Sequence, residues 1–317
     1  MVRFLLKKLF IFIVAMFSIS TITFFILKAI PGDPFAQAEN LPEEVLKSLY
    51  AHYGLDKPIL VQYLQYLKGI ITLDLGPSYV YQGRTVNQIL KDGLPVSAIL
   101  GLESFIVVVL FGGLLGSFAA IEKNKWQESV IVIFTSILVS IPNFVLASLL
   151  QYFLAMKLHI LPIARFDSFL HTILPTMTLS ALPIAFISRL IRNSLLETDK
   201  KDYIQTAIAK GLSPGRVFFY HTLKNSLIPV VAYLGPLLTY LITGSFVIEK
   251  VFAIPGMGMW MIQSILARDY TVIMGLTIFY SFLLLSLNLA TDIACAFLDP
   301  RILLFDKKRE MLNEPTI

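Results

Sequence analysis

The residues able to do chemistry in this sequence are few and widely separated. Its histidines lie in three predicted loops, without the spacing that gathers a metal ion, and its single cysteine excludes an intrachain disulfide. The sequence has no G-x-x-x-x-G-K-[ST] loop to hold nucleotide phosphates, and neither G-x-S-x-G nor H-E-x-x-H for hydrolysis. The histidines are His52, His159, His171 and His221. We therefore predict a chain that is not an enzyme, binds no metal or other cofactor, and takes any energy from a partner.

A polar, basic segment at residues 200–228 interrupts long apolar runs. Its first part predicts a short helix over residues 200–210, because Ile204, Ala207 and Ile208 recur at helical spacing and share one face. A charged helix between two apolar runs suits contact with a partner in water. A loop that is merely solvated is the plainer interpretation of the same residues.

A sharp corner is predicted after this helix. Gly211 is a C-terminal stop, and Ser213 and Pro214 fit the N-cap and first position of a second helix that runs to about residue 226. Lys210 and Arg216 can pair with acidic residues of a partner. The small residues at the tip, which leave room for a partner's groove, are Ala207, Ala209 and Gly211.

The elements that must position this corner are predicted to cross a membrane. The chain has 317 residues, of which 56% are hydrophobic and 15% charged, with a mean hydropathy of +0.74. Soluble domains carry about 25% charged residues. A membrane-spanning helix needs about 20 mostly apolar residues. The first apolar run of the chain is longer than the apolar region of a signal peptide, so it is predicted to be a span. The predicted spans are 9–29, 96–121, 130–156, 172–191, 229–249 and 271–297.

The distribution of basic residues orients these spans. Sixteen Lys and Arg residues fall in the segments on the N-terminal side of the membrane, and four fall in the two short loops on the other side. Because short cytoplasmic loops are enriched in Lys and Arg, both termini and the corner are predicted to face the cytoplasm.

The long first loop, at residues 31–95, is predicted to be folded. Asn40 can cap a helix that Gly54 ends, and Asp56 and Pro58 open another. Helical periodicity does not distinguish helices lying on the outer membrane surface from a small satellite core.

Ionisable residues are rare within the spans, although ion-coupled carriers commonly use them as relays. Glu103 lies near the outer end of the second span, where it reaches water by snorkelling or binds substrate. Asp292 and Asn288 lie towards the inner end of the last span, where a helix-packing hydrogen bond is the plainer interpretation. Gly112 and Gly116 have the GxxxG spacing that allows close helix contact.

Several motifs, taken in order, resemble permease subunits of ABC importers. Residues 200–228 resemble their cytoplasmic EAA loop, in the form found in the dipeptide, oligopeptide and nickel family. Further matching motifs are IPGDPF at 30–35, YGLDKPILVQYLQYL at 53–67, LDLGPSY at 73–79, GSFVIEKVFAIPGMG at 244–258, RDY at 268–270 and NLATDIACAFLDPRI at 288–302. The resemblance covers nearly the whole chain and is to the B-type, first permease subunit.

The resemblance implies an all-α polytopic membrane protein with the type I ABC-importer permease fold, six transmembrane helices and two cytoplasmic termini. It divides the chain into an N-terminal transmembrane helix at 1–30, an extracytoplasmic loop with short helices at 31–95 and a five-helix permease core at 96–300. The core contains the cytoplasmic coupling loop at 193–228, and a cytoplasmic tail follows at 301–317.

The resemblance also implies an assembly in the bacterial inner membrane. The chain would be a permease subunit of an ATP-driven, binding-protein-dependent importer, with di- or oligopeptides as the expected substrates. A homologous second permease would complete the translocation path as a heterodimer within membrane lipid. Two ATPase subunits would carry ATP-Mg, and an extracytoplasmic binding protein would deliver the substrate. No nucleic-acid partner is expected.

Two sets of site residues follow from the resemblance. The ATPase-coupling residues are Asp202, Gln205, Ala207, Lys210, Gly211, Leu212, Ser213, Pro214 and Arg216. The residues of an extracytoplasmic gate are Gly244, Pro255, Gly256 and Gly258.

The loop departs from the general EAA pattern. Gln205-Thr206-Ala207 stands where many importers have Glu-Ala-Ala, and Leu223-Lys224 replaces a Leu-Pro pair. The role of the family's glutamate in contacting the ATPase is therefore not carried over to Gln205. The docking role of the corner depends on its shape and position, and it remains a prediction.

Two other function classes are alternatives. An ion-coupled secondary transporter or channel would transport solute without a partner and would respond to the proton or sodium gradient. A membrane enzyme acting on lipid or protein would lose turnover when one Ser, His or Asp is changed. The scarcity of ionisable residues in the spans disfavours the first, and the missing catalytic motifs disfavour the second.

Overall fold

A computed structural model describes residues 2–31, 35 and 42–298, most of which form α-helices joined by turns and irregular segments. Three π-helical segments, Val108–Gly112, Gln151–Lys157 and Phe218–Leu223, continue α-helices. The α-helices in chain order are α1 (Val2–Ala29), α2 (Glu43–Tyr53), α3 (Ile59–Thr72), α4 (Val86–Val107), α5 (Gly113–Ile121), α6 (Trp126–Ser140), α7 (Asn143–Leu150), α8 (Phe169–Asp199), α9 (Asp202–Ala209), α10 (Pro214–Val217), α11 (Lys224–Ser226), α12 (Ile228–Ile242), α13 (Phe246–Val251), α14 (Met257–Leu266) and α15 (Tyr270–Leu298). The predicted cap Asn40 and the predicted tail at 301–317 lie outside the described residues.

The prediction of an all-α polytopic membrane protein is confirmed. Among the described residues, five continuous helical stretches are long and apolar enough to span a membrane. A sixth candidate is a bent pair, α6 with α7 and its π-helical extension, whose halves meet at 101°. The bend occurs where Ile141 is extended and Pro142 lacks the amide needed to continue the helix. The count of six therefore holds if this pair is one span.

The second span begins earlier than its apolar run predicts. Residue 96 was the expected start, but α4 begins at Val86. Thr85 accepts a hydrogen bond from the amide of Gln88, and the Gln88 side chain accepts one from the amide of Thr85. This reciprocal capping box starts the helix among polar residues, which a hydropathy threshold does not detect.

Helix α8 is the central element of the bundle and packs on α4, α5, α6 and α7. The predicted close contact of the GxxxG pair is present, because both glycines lie against α8. A β-carbon at Gly112 would be 2.8 Å from Ile187 Cγ2, and one at Gly116 would be 2.5 Å from the carbonyl oxygen of Ser188. The absence of side chains at these positions lets the two helices touch.

The segment between the first two spans packs on α1. The Tyr66 ring stacks on Phe24 with centroids 5.6 Å apart, and the Tyr63 hydroxyl lies 2.7 Å from Thr21 Oγ1. Helix α3 has no fully buried residue, so it does not form a satellite core of its own. Helix α2 ends at Gly54, which has φ +66°, as predicted.

Contacts between helix ends define one face of the bundle, which we call the corner face. Lys8 near the start of α1 forms an ion pair of 2.7 Å with Asp292 near the end of α15. Asp292 thus has the packing role that was predicted, with Lys8 as its partner. The Cys295 thiol lies 3.9 Å from the carbonyl oxygen of Ile228 at the start of α12. The segment after α8 lies on this face.

Candidate functional site

The predicted corner is present between α9 and α10. Helix α9 ends at Ala209, and Gly211 adopts φ +77°, a left-handed conformation that suits glycine. The amide of Leu212 donates to the carbonyl of Ala207 at 3.4 Å, which closes the turn. Pro214 occupies the first position of α10. The helical path then continues through a π-helical segment and α11 to Ser226, as the sequence predicts.

A small apolar cluster holds the two arms of the corner together. It consists of Ile204, Ala207 and Val217, with Leu212 packed at its edge. Ala207 is therefore buried inside the corner and is not part of the tip offered to a partner, contrary to expectation. Ile208 was expected on the same face but is 54% exposed, because the second arm covers the side of α9 that carries Ile204 and Ala207.

The outer surface of the corner carries most of the predicted coupling residues. The exposed members are Asp202, Gln205, Lys210, Gly211, Ser213, Pro214 and Arg216. In the described part of the chain, neither Lys210 nor Arg216 forms an ion pair. Their charges remain available to a partner.

Hydrogen bonds fix the corner to the end of α8. The Asp199 carboxylate accepts a hydrogen bond of 2.8 Å from the Thr222 hydroxyl, and the Asp199 backbone carbonyl accepts one of 3.2 Å from the side-chain amide of Gln205. The Ser194 hydroxyl donates to the carbonyl of Ser226 at 2.7 Å. Both arms are thus joined to α8, so the corner and this helix are expected to move together.

Helix α8 is also linked to α6 near the corner face. Arg192 donates from Nε to the Glu128 carboxylate at 2.7 Å and makes a second, shorter contact through its terminal nitrogen. The other carboxylate oxygen accepts the amide of Asn124 at 2.6 Å. A guanidinium that meets a carboxylate through two nitrogens is a directional contact. The contact fixes the orientation of α8 against its neighbour.

The predicted gate residues surround a carboxylate on the opposite face. Glu249 is 0% exposed, although it stands at the end of an apolar run. A β-carbon at Gly244 would overlap its Oε1, one at Gly256 would be 2.5 Å from its Cδ, and one at Gly258 would be 3.0 Å from its Oε2. The three glycines therefore leave the space that the carboxylate occupies. Pro255 is exposed in the turn before α14.

Glu249 is held entirely by neutral donors. The Ser97 hydroxyl of α4 donates to its Oε1 at 2.9 Å, and the amide of Met259 donates to its Oε2 at 2.9 Å. The amide of Gly258 is also a donor. These amides belong to the first turn of α14, where helix ends leave unpaired N–H groups and favour negative charge. Glu249 therefore connects α4, α13 and the start of α14.

Sequence reasoning did not identify Glu249 as a site residue. It lies at the end of the predicted fifth span, at 229–249, where a charged side chain usually reaches water by snorkelling. The available signal was the set of glycines before and after it, in GSFVIEKVFAIPGMG. Its burial depends on Ser97, which is 152 residues distant in the chain, and no local pattern predicts that contact.

A second buried carboxylate joins two motifs that carried the family resemblance. Asp269 of the RDY motif is 0% exposed and accepts hydrogen bonds from the Ser78 hydroxyl and from the amide of Tyr79 at 3.2 Å. It also accepts the amide of Val272 in the first turn of α15. Burial raises the pKa of the Tyr79 phenol, and the nearby Asp269 carboxylate raises it further. The segment before α4 is thus attached to the start of α15.

The other ionisable residues are dispersed. Across the described residues, no three His, Cys, Asp or Glu side chains are placed to hold a metal ion. Glu103 is half-buried and accepts a hydrogen bond of 3.1 Å from the Thr176 hydroxyl, so it contacts α8. The Asn288 amide oxygen is buried without a hydrogen-bond partner in the described chain.

Comparison with known protein families covers nearly the whole chain. The family described as "Binding-protein-dependent transport system inner membrane component" matches residues 112–304. The related N-terminal family, "Binding-prot-dependent transport system membrane comp, N-term", matches residues 1–101.

Curated relatives are similar along their full length. The dipeptide transport system permease protein DppB of Bacillus subtilis (strain 168) is 44% identical over 97% of this chain and 100% of its own length. The oligopeptide transport system permease protein OppB of Salmonella typhimurium is 38% identical over 95% of this chain and 99% of its own length.

Solved structures of ABC transporters share the fold. A chain of the MetNI methionine ABC transporter in an inward-facing conformation has a TM-score of 0.56 and 18% identity, over 67% of this chain and 96% of that chain. An amino acid ABC transporter has a TM-score of 0.50 and 15% identity, over 68% of this chain and 94% of that chain.

These matches confirm the resemblance drawn from the motifs. The curated relatives cover almost all of the chain at well above 30% identity, and the family pattern matches more than half of it. The chain therefore belongs to the family of binding-protein-dependent transport system inner membrane components, which are multi-pass permease subunits of ABC importers and carry no catalytic activity of their own.

Proposed function

We propose that this chain is the membrane permease of an ATP-driven, binding-protein-dependent importer of di- or oligopeptides. The observation that carries the coupling part of the proposal is the corner between α9 and α10, a folded unit joined by hydrogen bonds to α8. The peptide substrate rests on the relatives, which are named as dipeptide and oligopeptide permeases.

The corner can transmit force because its two arms share one apolar core. Ile204 and Val217 are buried against each other's arm, so displacing one arm displaces the other. Helix α8 follows because Asp199 and Ser194 bind the second arm. Packed interiors shift between discrete arrangements rather than deforming continuously. Movement of the corner by a partner thus becomes movement of the central helix.

The exposed side of the corner suits a protein partner. It combines two exposed basic residues, Lys210 and Arg216, with a large apolar side chain, since Ile208 is 54% exposed. Buried apolar contacts supply affinity, while charges fix partner and register. We assign this surface to a groove with acidic residues on one ATPase subunit, and the two ATPase subunits of the complex would carry ATP-Mg.

The rest of the assembly follows from the same proposal. A second homologous permease completes the path as a heterodimer, and a binding protein delivers peptide on the face opposite the corner. That face carries the gate residues Gly244, Pro255, Gly256 and Gly258 around Glu249. Both termini face the cytoplasm, as the distribution of basic residues indicates.

Charge reversal on the corner tests this function. In the complex purified from its native host through a tag on this chain, Lys210→Glu with Arg216→Glu is expected to reduce recovery of the ATPase subunits and peptide-stimulated ATP hydrolysis. Lys47→Glu is the control for charge reversal itself, because Lys47 is exposed on α2, in the segment between the first two spans, and recovery of the ATPase subunits should be unchanged. An intact, ATP-driven complex after deletion of residues 205–216 would refute the docking assignment.

A further inference from the structure

An open cavity of about 380 Å³ lies beside the gate residues, between α12, α14 and α15. It is located where the helical path of the fifth span breaks, because residues 243–245 connect α12 to α13 without helical structure. Irregular backbone at membrane depth occurs where it is buried in protein or lines a water-filled cavity. Small-molecule sites have about this size, and they are concave and largely apolar.

The walls of the cavity combine apolar side chains with hydroxyl groups. Among the described residues that line it there is no Asp, Glu, Lys, Arg or His. The apolar lining residues are Phe246, Met261, Ile262 and Leu284. The hydroxyl-bearing lining residues are Thr239, Thr243, Tyr280 and Ser281.

Tyr280 offers a hydrogen-bonding group that the chain itself does not use. Its hydroxyl is buried and has no hydrogen-bond partner in the described part of the chain. Buried polar groups in folded proteins are nearly always paired, so an unpaired phenol on a cavity wall indicates a ligand or an ordered water. The Ser281 hydroxyl donates to the carbonyl of Thr277 at 2.8 Å and keeps its acceptor capacity.

The buried carboxylate of Glu249 is kept out of this cavity. Gly244 and Gly258 line the cavity and also contact the carboxylate, so they form the wall between them. Ser97 and the first amides of α14 occupy the carboxylate oxygens. The cavity walls therefore present neutral donors and acceptors, and the Glu249 carboxylate lies behind them, close enough to act electrostatically on Tyr280.

From these contacts we infer that the cavity beside Tyr280 is a substrate-contact site, which binds the main chain of a peptide in transit through neutral hydrogen bonds. Amide N–H and C=O groups are common to all peptides, and Tyr280 and Ser281 can serve both kinds. The absence of charged walls accommodates variable side chains. This inference rests on the proposed peptide importer, and it names the part of the path that touches the substrate.

Removal of one hydroxyl tests the inference in the purified complex. Tyr280→Phe deletes the unpaired group and keeps the ring, and it is expected to lower peptide uptake at subsaturating concentration by about two- to tenfold, the range for one neutral hydrogen bond. Tyr240→Phe is the matched control, because Tyr240 lies on α12, is 45% exposed and does not line the cavity. Its uptake should match that of the unaltered complex.

A thiol in the cavity provides an independent readout. Ser281→Cys should be alkylated by a small maleimide, and a dipeptide supplied with the binding protein and ATP should slow that reaction severalfold. An analogue methylated on its amide nitrogen should protect less, whereas changes of peptide side chain should matter little. A thiol at exposed Ser140, outside the cavity, should react equally with and without peptide. The native Cys295 is buried and is distinguished by peptide mass mapping.

The outcomes separate this site from the function on which it rests. If the unaltered complex imports no peptide with ATP, the proposed function fails and the site fails with it. If the complex imports peptide, but Tyr280→Phe leaves peptide uptake unchanged or peptide does not protect the thiol at 281 from alkylation, the site alone is refuted. If Tyr280→Phe does not assemble, protection of the thiol decides the question. A thiol unreactive under every condition would mean that a neighbouring subunit fills the cavity, which also overturns the inference.

Discussion

The Ser97 hydroxyl forms hydrogen bonds with two residues, Glu249 and Met257. It donates to Glu249 Oε1 at 2.9 Å and accepts the amide of Met257 at 2.8 Å, at a position only 1% exposed. Ser97→Ala removes both contacts and leaves a buried carboxylate one donor short and a buried amide without an acceptor. Water cannot readily replace the lost oxygen, because glycines pack the carboxylate tightly on three sides.

The cost of this substitution can be worked out from these two losses. A hydrogen bond to a charged group contributes about 1.5–3 kcal/mol, and a buried group left unsatisfied costs about 1–3 kcal/mol. Because the two partners share one atom, the terms do not add fully, and we expect a loss of about 2–4 kcal/mol in the free energy of unfolding. Ser148→Ala is the control, since that exposed hydroxyl donates only to the Phe144 carbonyl of its own helix.

The assay is reversible unfolding of the purified chain in mixed micelles, followed by helical circular dichroism against increasing denaturing detergent. Ser97→Ala should unfold at lower detergent fraction than the unaltered protein, and Ser148→Ala should be within about 0.5 kcal/mol of it. Equal midpoints for the two variants would show that Glu249 is not anchored through Ser97, and the account of the gate would be wrong.

Two further predictions concern glycines with different constraints. Gly211→Ala should lower the free energy of unfolding by about 1–2 kcal/mol, because its φ of +77° is unfavourable for an L-residue although nothing lies near its β-carbon position. Gly215→Ala is the control: its β-carbon position is equally open but its backbone is helical, so the change should be neutral or stabilising. Equal recovery of the ATPase subunits with both variants would contradict the role of the turn. Gly116→Ala should lower the free energy of unfolding by about 1–3 kcal/mol, because the added methyl group overlaps the carbonyl of Ser188. Gly113→Ala should not destabilise the protein, because the space around that position is open. Equal melting temperatures of Gly116→Ala and Gly113→Ala would refute the close packing of α5 on α8.

The local features of this chain were predictable from its sequence. Gly211 favours the end of a helix and Pro214 favours the start of one. These backbone preferences act within a few positions, so the corner has the predicted turn and helix start. The apolar runs predict membrane-length helices because the bilayer sets their length. The start of α4 at Val86 was missed because Thr85 and Gln88 initiate that helix in polar sequence.

The features that were missed depend on residues distant in the chain. Ala207 is a small residue near the tip of the corner, which favours exposure, but it is buried because Val217 of the second arm packs against it. Glu249 is typical of a charge at a helix end, and it becomes buried because Ser97 and the turn before α14 close around it. A hydropathy profile does not encode the 101° angle between α6 and the stretch beginning at α7, although Pro142 marks its place.

The central claim is that this permease is driven through its corner by ATPase subunits on other chains. The most direct measurement compares peptide accumulation in liposomes containing the complete complex with accumulation in liposomes containing this chain alone, each with ATP and binding protein present. We predict accumulation against a gradient in the first case, lost with the Lys210→Glu and Arg216→Glu pair, and none in the second. Uphill accumulation by the chain alone would contradict the account.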